Sequence, residues 1–186
     1  RDRLNTNGRS KRQKCCKLPE VKSCCPLHLR ACDDAILKGH HGCLKTSILY
    51  GAALDMGTML TAAYVGDLAV IDMLTSKCGL IFSSYELFQS ARNGAWNVVE
   101  KFYELAEHDW QQTIICTEAA FQNKLAFLSK TKSAGWPIHN VDLSKVLTPA
   151  LDANCLEMVL KAKVSKCVLI DFEDLQLVIK WKARFD

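Results

Sequence analysis

The chain has 186 residues, enough for one ordinary domain or one short repeat array, and 49% apolar with 24% charged residues is a globular mixture. No stretch approaches the roughly 18 uninterrupted apolar residues needed to cross a bilayer, so the expectation is a chain that does not span a membrane. Residues 1–17 hold seven of the 24 Lys and Arg and one of the 20 acidic residues, leaving 17 basic against 19 acidic side chains elsewhere. A nucleic-acid binder needs a basic face on its folded body, and this distribution argues against one.

Residues 1–28 read as a basic, cysteine-containing extension, expected to be partly disordered because its first part is polar and like-charged. In "CCKLPEVKSCCPLH" the vicinal pairs Cys15–Cys16 and Cys24–Cys25 flank Pro19, which lets the chain fold back. These four thiols are disulfide candidates in an oxidising compartment. Two alternatives stay open: reduced, non-ligating thiols, or a zinc site completed by His28, although neither half has the Cys-x-x-Cys spacing of a zinc knuckle. No Met precedes Arg1, and a cleaved signal peptide, hence secretion, is the localisation this reading adopts. A cytoplasmic protein is the alternative.

From residue 29 a unit recurs. "DDAILKGHHGCLKTSILYGA", "LTAAYVGDLAVIDMLTSKCG", "QSARNGAWNVVEKFYELAEH", "EAAFQNKLAFLSKTKSAGWP" and "PALDANCLEMVLKAKVSKCV" centre on Gly39, Gly66, Gly94, Asn123 and Asn154, spaced 27, 28, 29 and 31 residues apart. Gly or Asn at the anchor suits the left-handed residue that ends a helix. Ala35, Ala62, Ala63, Ala91, Ala119, Ala120 and Ala150 stand three or four places before it, small enough for two helices to approach. Seven places before each anchor lies an apolar residue (Cys32, Met59, Leu87, Cys116, Leu147). Four and five places after it lie apolar pairs, from Cys43–Leu44 to Met158–Val159. The pattern predicts two helices per unit, each with one buried stripe, and places Cys32, Cys43 and Cys116 in the core. No unit of about 28 residues buries such a stripe alone, so the five must stack.

The joining loops carry "EHDWQQ" with Trp110 and "GWPIHN" with Trp136 and His139. An exposed indole at a loop tip is a binding anchor, whereas an indole plugging the space between units is structural, and both readings stand for each Trp. Trp96 falls where Leu68, Leu125 and Leu156 fall, which predicts a core position. Residues 169–186 read as a C-terminal capping helix in which Leu175, Val178, Ile179 and Lys182 share helical spacing and Lys180, Lys182 and Arg184 complement the negative helix end.

"AAYVGDLAVIDML" and "SARNGAWNVVEKF" resemble the helix-turn-helix of ankyrin repeats, and "FLSKTKSAGWP" is similar to divergent ankyrin repeats of large DNA viruses and protists. The resemblance covers about residues 30–168. It implies an all-α, ankyrin-like repeat solenoid of about five repeats with capping helices. The family's Thr-Pro-Leu-His opening is absent, "LTPA" at 147–150 lies out of register, and the period is below the family's roughly 33 residues, which implies plain loops in place of projecting β-turns. A tetratricopeptide period, near 34, fits worse.

The resemblance also implies where function lies. It lines a concave face with Leu37, Tyr64, Arg92, Phe121 and Asp152, two places before each anchor, and with the Trp loops. Tyr, Arg and Trp most often dominate binding energy. The expectation is a monomeric, non-enzymatic scaffold without cofactor or metal that binds a protein partner, in one version a secreted effector engaging a host protein. A redox- or zinc-responsive module built on the N-terminal cysteines is the alternative. "GHHGC", with His40, His41 and Cys43, is the nearest approach to a thiol nucleophile, and the core offset of Cys43 argues against it. No nucleophile elbow, phosphate loop or metalloprotease motif is present.

Overall fold

The computed structural model describes residues 27–166 and 172–183. These residues are helical throughout, joined by turns, and among them there is no strand, including in the loops 50–55, 79–83 and 106–108 that join successive units. Four helix pairs come first: α1 (Leu27–Leu37) with α2 (His41–Leu49), α3 (Met56–Val65) with α4 (Leu68–Cys78), α5 (Ser84–Arg92) with α6 (Trp96–Phe102), and α7 (Asp109–Phe121) with α8 (Leu125–Ser133). Then follow α9 (Leu143–Val146), α10 (Ala153–Ser165) and α11 (Phe172–Lys182). Short 3-10 turns lie at Tyr103–Leu105 and Ile138–Asn140.

Local chemistry explains where these helices start and stop. Asp55 caps α3 through Thr58 N–H, Asp67 caps α4 through Val70 N–H, and Ser83 opens α5 in a capping box closed by Glu86. Gly39, Gly66, Gly94 and Asn123 end the first helices with φ of 66°, 79°, 78° and 58°. Gly66 is held to its identity twice. Besides its left-handed φ, a Cβ there would sit 3.1 Å from Ala95 Cβ and from Asn97 Oδ1.

The buried stripes lie where the spacing puts them. Cys32, Met59, Leu87 and Cys116 are fully buried, as are Leu44, Ile71, Val98, Val99 and Leu128, and the paired alanines of α3 and α7 are shielded too. Each such large side chain contributes about 1.5–3 kcal/mol. The first helices then pack in sequence, α1 on α3, α3 on α5, α5 on α7 and α7 on α9. Hydrogen bonds join neighbouring units: Ser90 Oγ donates to Ala63 O (3.2 Å), Asn97 Nδ2 to Gly66 O (2.7 Å) and Gln122 Nε2 to Ala91 O (2.8 Å). On the second-helix side Trp96, Phe127, Tyr103 and Trp136 form a continuous aromatic seam, with ring centroids 5.3–6.4 Å apart.

Four expectations need correction. The fifth anchor is not Asn154, which lies in the first turn of α10. Asp152 caps that helix, accepting from Asn154 N–H (2.8 Å) and Cys155 N–H (3.4 Å), as Asp67 caps α4 one residue after Gly66. The structural equivalent of Gly66 is therefore Leu151, 28 residues after Asn123. Pro149 keeps the chain out of a helix before this turn, and α9 is cut to four residues. Ala150, expected against a helix, is exposed, and its carbonyl accepts from Asn123 Nδ2 at 2.7 Å.

Cys43 is exposed rather than in the core. Asn97 and Lys101, three and seven places after Gly94, reach back to Gly66 and Asp72, so this side of a second helix faces the preceding unit. α2 belongs to the first described pair, and its side has no such neighbour among the described residues. In α11 the inward face is carried by Val178 and Trp181, whose Nε1 donates to Thr148 O (2.8 Å), while Leu175 and Ile179 are exposed.

Candidate functional site

The outward face of the first helices forms as a by-product of the core. In α3, α5 and α7 the positions seven and three before the turn are buried, which leaves those two, five and nine before it on the opposite side. Two before the turn stand Leu37, Tyr64, Arg92 and Phe121, all exposed, with Tyr64 at 55% and Phe121 at 45%. Nine before it, Tyr85 and Ile114 are exposed on α5 and α7. Trp110, in the first turn of α7, is 58% exposed and leans on Phe88 of α5 at 5.8 Å. Side chains from three adjacent helices thus form one apolar and aromatic surface with Arg92 within it. No described residue pairs with the Arg92 guanidinium.

The other sequence candidates lie elsewhere. Asp152 is not on this face: its carboxylate caps α10. Trp136 fills the seam between Tyr103 and Phe127, so the structural reading applies to it, and His139 is half-buried in the neighbouring 3-10 turn. Trp96 is in the core as expected, with its Nε1 donating to Gln122 Oε1 at 2.8 Å. Cys15, Cys16, Cys24 and Cys25 and the side chain of His28 lie outside the described residues. Among the described cysteines, Cys32, Cys43, Cys78, Cys116 and Cys155 are free thiols.

The titratable groups show where chemistry is suppressed. Burial pushes the Cys116 thiol up to about 12, and burial raises Cys32 and Cys155 as well, so these sulfurs stay protonated and packed. His41 Nε2 lies 2.5 Å from Asp67 Oδ2, whose other oxygen caps α4, and so the ring clamps the first unit to the second. No hydrogen bond joins Cys43 to His40 or His41 among the described residues. No group of three His, Cys, Asp or Glu is placed to hold a metal ion, and no helix is long and apolar enough to cross a membrane, again among the described residues.

Sequence reasoning missed Gln122, which links Trp96 Nε1 to Ala91 O, and the pairing of Lys101 with Asp72 at 2.6 Å. For Lys101 the signal was an opposite charge, Asp72, one period away, whereas Gln122 meets an indole N–H and a backbone carbonyl that residue types do not announce. Compared with protein-family models, with curated proteins and with solved structures, the chain matches none.

Proposed function

We propose that the chain is an ankyrin-like array of five shortened repeats that recognises a protein partner through the outward face of α3, α5 and α7, and that it performs no chemistry of its own. The observation that carries this reading is the juxtaposition of Tyr64, Tyr85, Arg92, Trp110, Ile114 and Phe121, all exposed, on three helices whose opposite faces are fully buried. Apolar surface grouped around an unpaired arginine is typical of binding patches, because Tyr, Trp and Arg supply most of the energy of an interface. The ordered packing of the first helices and the near-constant spacing of their turns support the array.

Affinity capture followed by mass spectrometry tests the reading. The wild-type chain is compared with a Tyr64→Ala, Arg92→Ala, Phe121→Ala variant whose helicity is verified by circular dichroism. A partner held by the wild type and lost by the folded variant is the expected result. Partners retained in full by the variant would place recognition elsewhere.

A further inference from the structure

The face has a repeat distance, and that distance constrains what can lie on it. α3, α5 and α7 pack side by side, and packed helices lie about 8–10 Å apart. Tyr64, Arg92 and Phe121 occupy the same position on the three helices and therefore recur at that step. A chain in the extended polyproline II conformation advances about 3.1 Å per residue with three residues per turn, so every third residue falls on the next helix and points toward it. Seven extended residues span the row. A helix rising about 1.5 Å per residue needs about fourteen, a length at which isolated helices are marginal in water.

Charge selects the middle contact. Arg92 has no ion-pair partner among the described residues, and a partner lying across Tyr64 and Phe121 covers it. Covering a guanidinium without a counter-charge is strongly unfavourable, whereas a carboxylate accepts two parallel N–H bonds from it. Glu118, half-buried one turn before Phe121 on α7, disfavours a second acid next to the last apolar anchor.

Resting on the proposed binding role of this face, we infer that the partner presents an extended segment with one acidic side chain over Arg92. Two apolar side chains flank it, each three residues away, one on Tyr64 and the other on Phe121. The pattern is apolar-x-x-acidic-x-x-apolar.

Selection from a random linear dodecapeptide display library tests this, with the full chain as bait beside its Arg92→Glu variant and its Tyr64→Ala, Phe121→Ala variant, each verified folded by circular dichroism. The wild type is expected to enrich the pattern, the arginine variant to enrich a basic residue at its centre, and the double variant to enrich neither. A synthetic peptide of the enriched sequence should bind the wild type at least about tenfold more tightly than its central Glu→Lys version, equivalent to about 1.4 kcal/mol. Peptides enriched by the wild type and lost on the double variant, but without a central acid or with the apolar residues at a spacing other than three from it, would overturn the acidic extended segment and leave the binding face standing. Equal enrichment on wild type and double variant, or none on either, would overturn both.

Discussion

Asn123 offers the sharpest test of how the fourth and fifth units are joined. Among the described residues it alone takes a positive φ without being glycine, at 58°, and its side chain makes two bonds across the junction. Nδ2 donates to Ala150 O at 2.7 Å, and Oδ1 accepts from Asp152 N–H at 2.6 Å. Asn123→Ala places a Cβ-bearing residue without side-chain compensation in the left-handed region, at about 1–2 kcal/mol, and removes two hydrogen bonds worth about 0.5–1.5 kcal/mol each. The expected loss is about 2–5 kcal/mol. Asn123→Gly removes the same bonds and is free of the backbone penalty, so it should be the milder by about 1 kcal/mol, somewhat less once the unfolded-state entropy of glycine is counted. Asn154→Ala is the control: on an exposed helix turn it should stay within about 0.5 kcal/mol of wild type. Urea unfolding of the full chain followed by circular dichroism measures all three. An Asn123→Ala variant as stable as wild type, or an Asn154→Ala variant more damaged than it, would refute the junction and restore Asn154 as the anchor.

Gln122→Leu should destabilise by about 1–3 kcal/mol in the same assay, since it leaves Trp96 Nε1–H without its acceptor and removes one of the bonds to Ala91 O, which keeps Gly94 N–H. With a thiol-specific alkylating reagent followed by peptide mass spectrometry, Cys43 should label in the native chain, whereas Cys32, Cys116 and Cys155 should label only on unfolding. Burial raises the Asp33 carboxyl above its ordinary range, with Thr58 acting in the opposite sense, and Asp33 Oδ1 is buried with no hydrogen-bond partner among the described residues. Between the ordinary aspartate value and the raised one the folded chain holds the extra proton. Stability therefore falls as pH rises through that window, and Asp33→Asn should flatten this part of the profile and gain on wild type above it.

What the sequence made legible was whatever repeats. Gly39, Gly66, Gly94 and Asn123 could be read because a left-handed helix end tolerates few residues, and the same offset buries the same stripe in each unit. The fifth unit broke the method: Pro149 shortens the preceding helix and moves the turn, while an Asn three places later imitates the anchor. Cys43 shows the limit of offset reasoning at the first described pair, where a core position faces no preceding helix pair among the described residues. Tyr64, Arg92 and Phe121 were legible by offset, whereas Tyr85 and Ile114 needed the face itself, because exposure nine places before the turn follows from helix rotation rather than from residue type. Trp110 and Trp136 could not be separated by sequence, since an indole fits a seam and a surface equally well.

Recognition is proposed to run along α3, α5 and α7. Its most direct test is amide hydrogen exchange on the full chain with and without its captured partner or enriched peptide. Added protection is expected in residues 56–65, 84–92 and 109–121, with the second helices unchanged. Protection confined to α6, α8 and the Trp136 turn, or to α10 and α11, would contradict it.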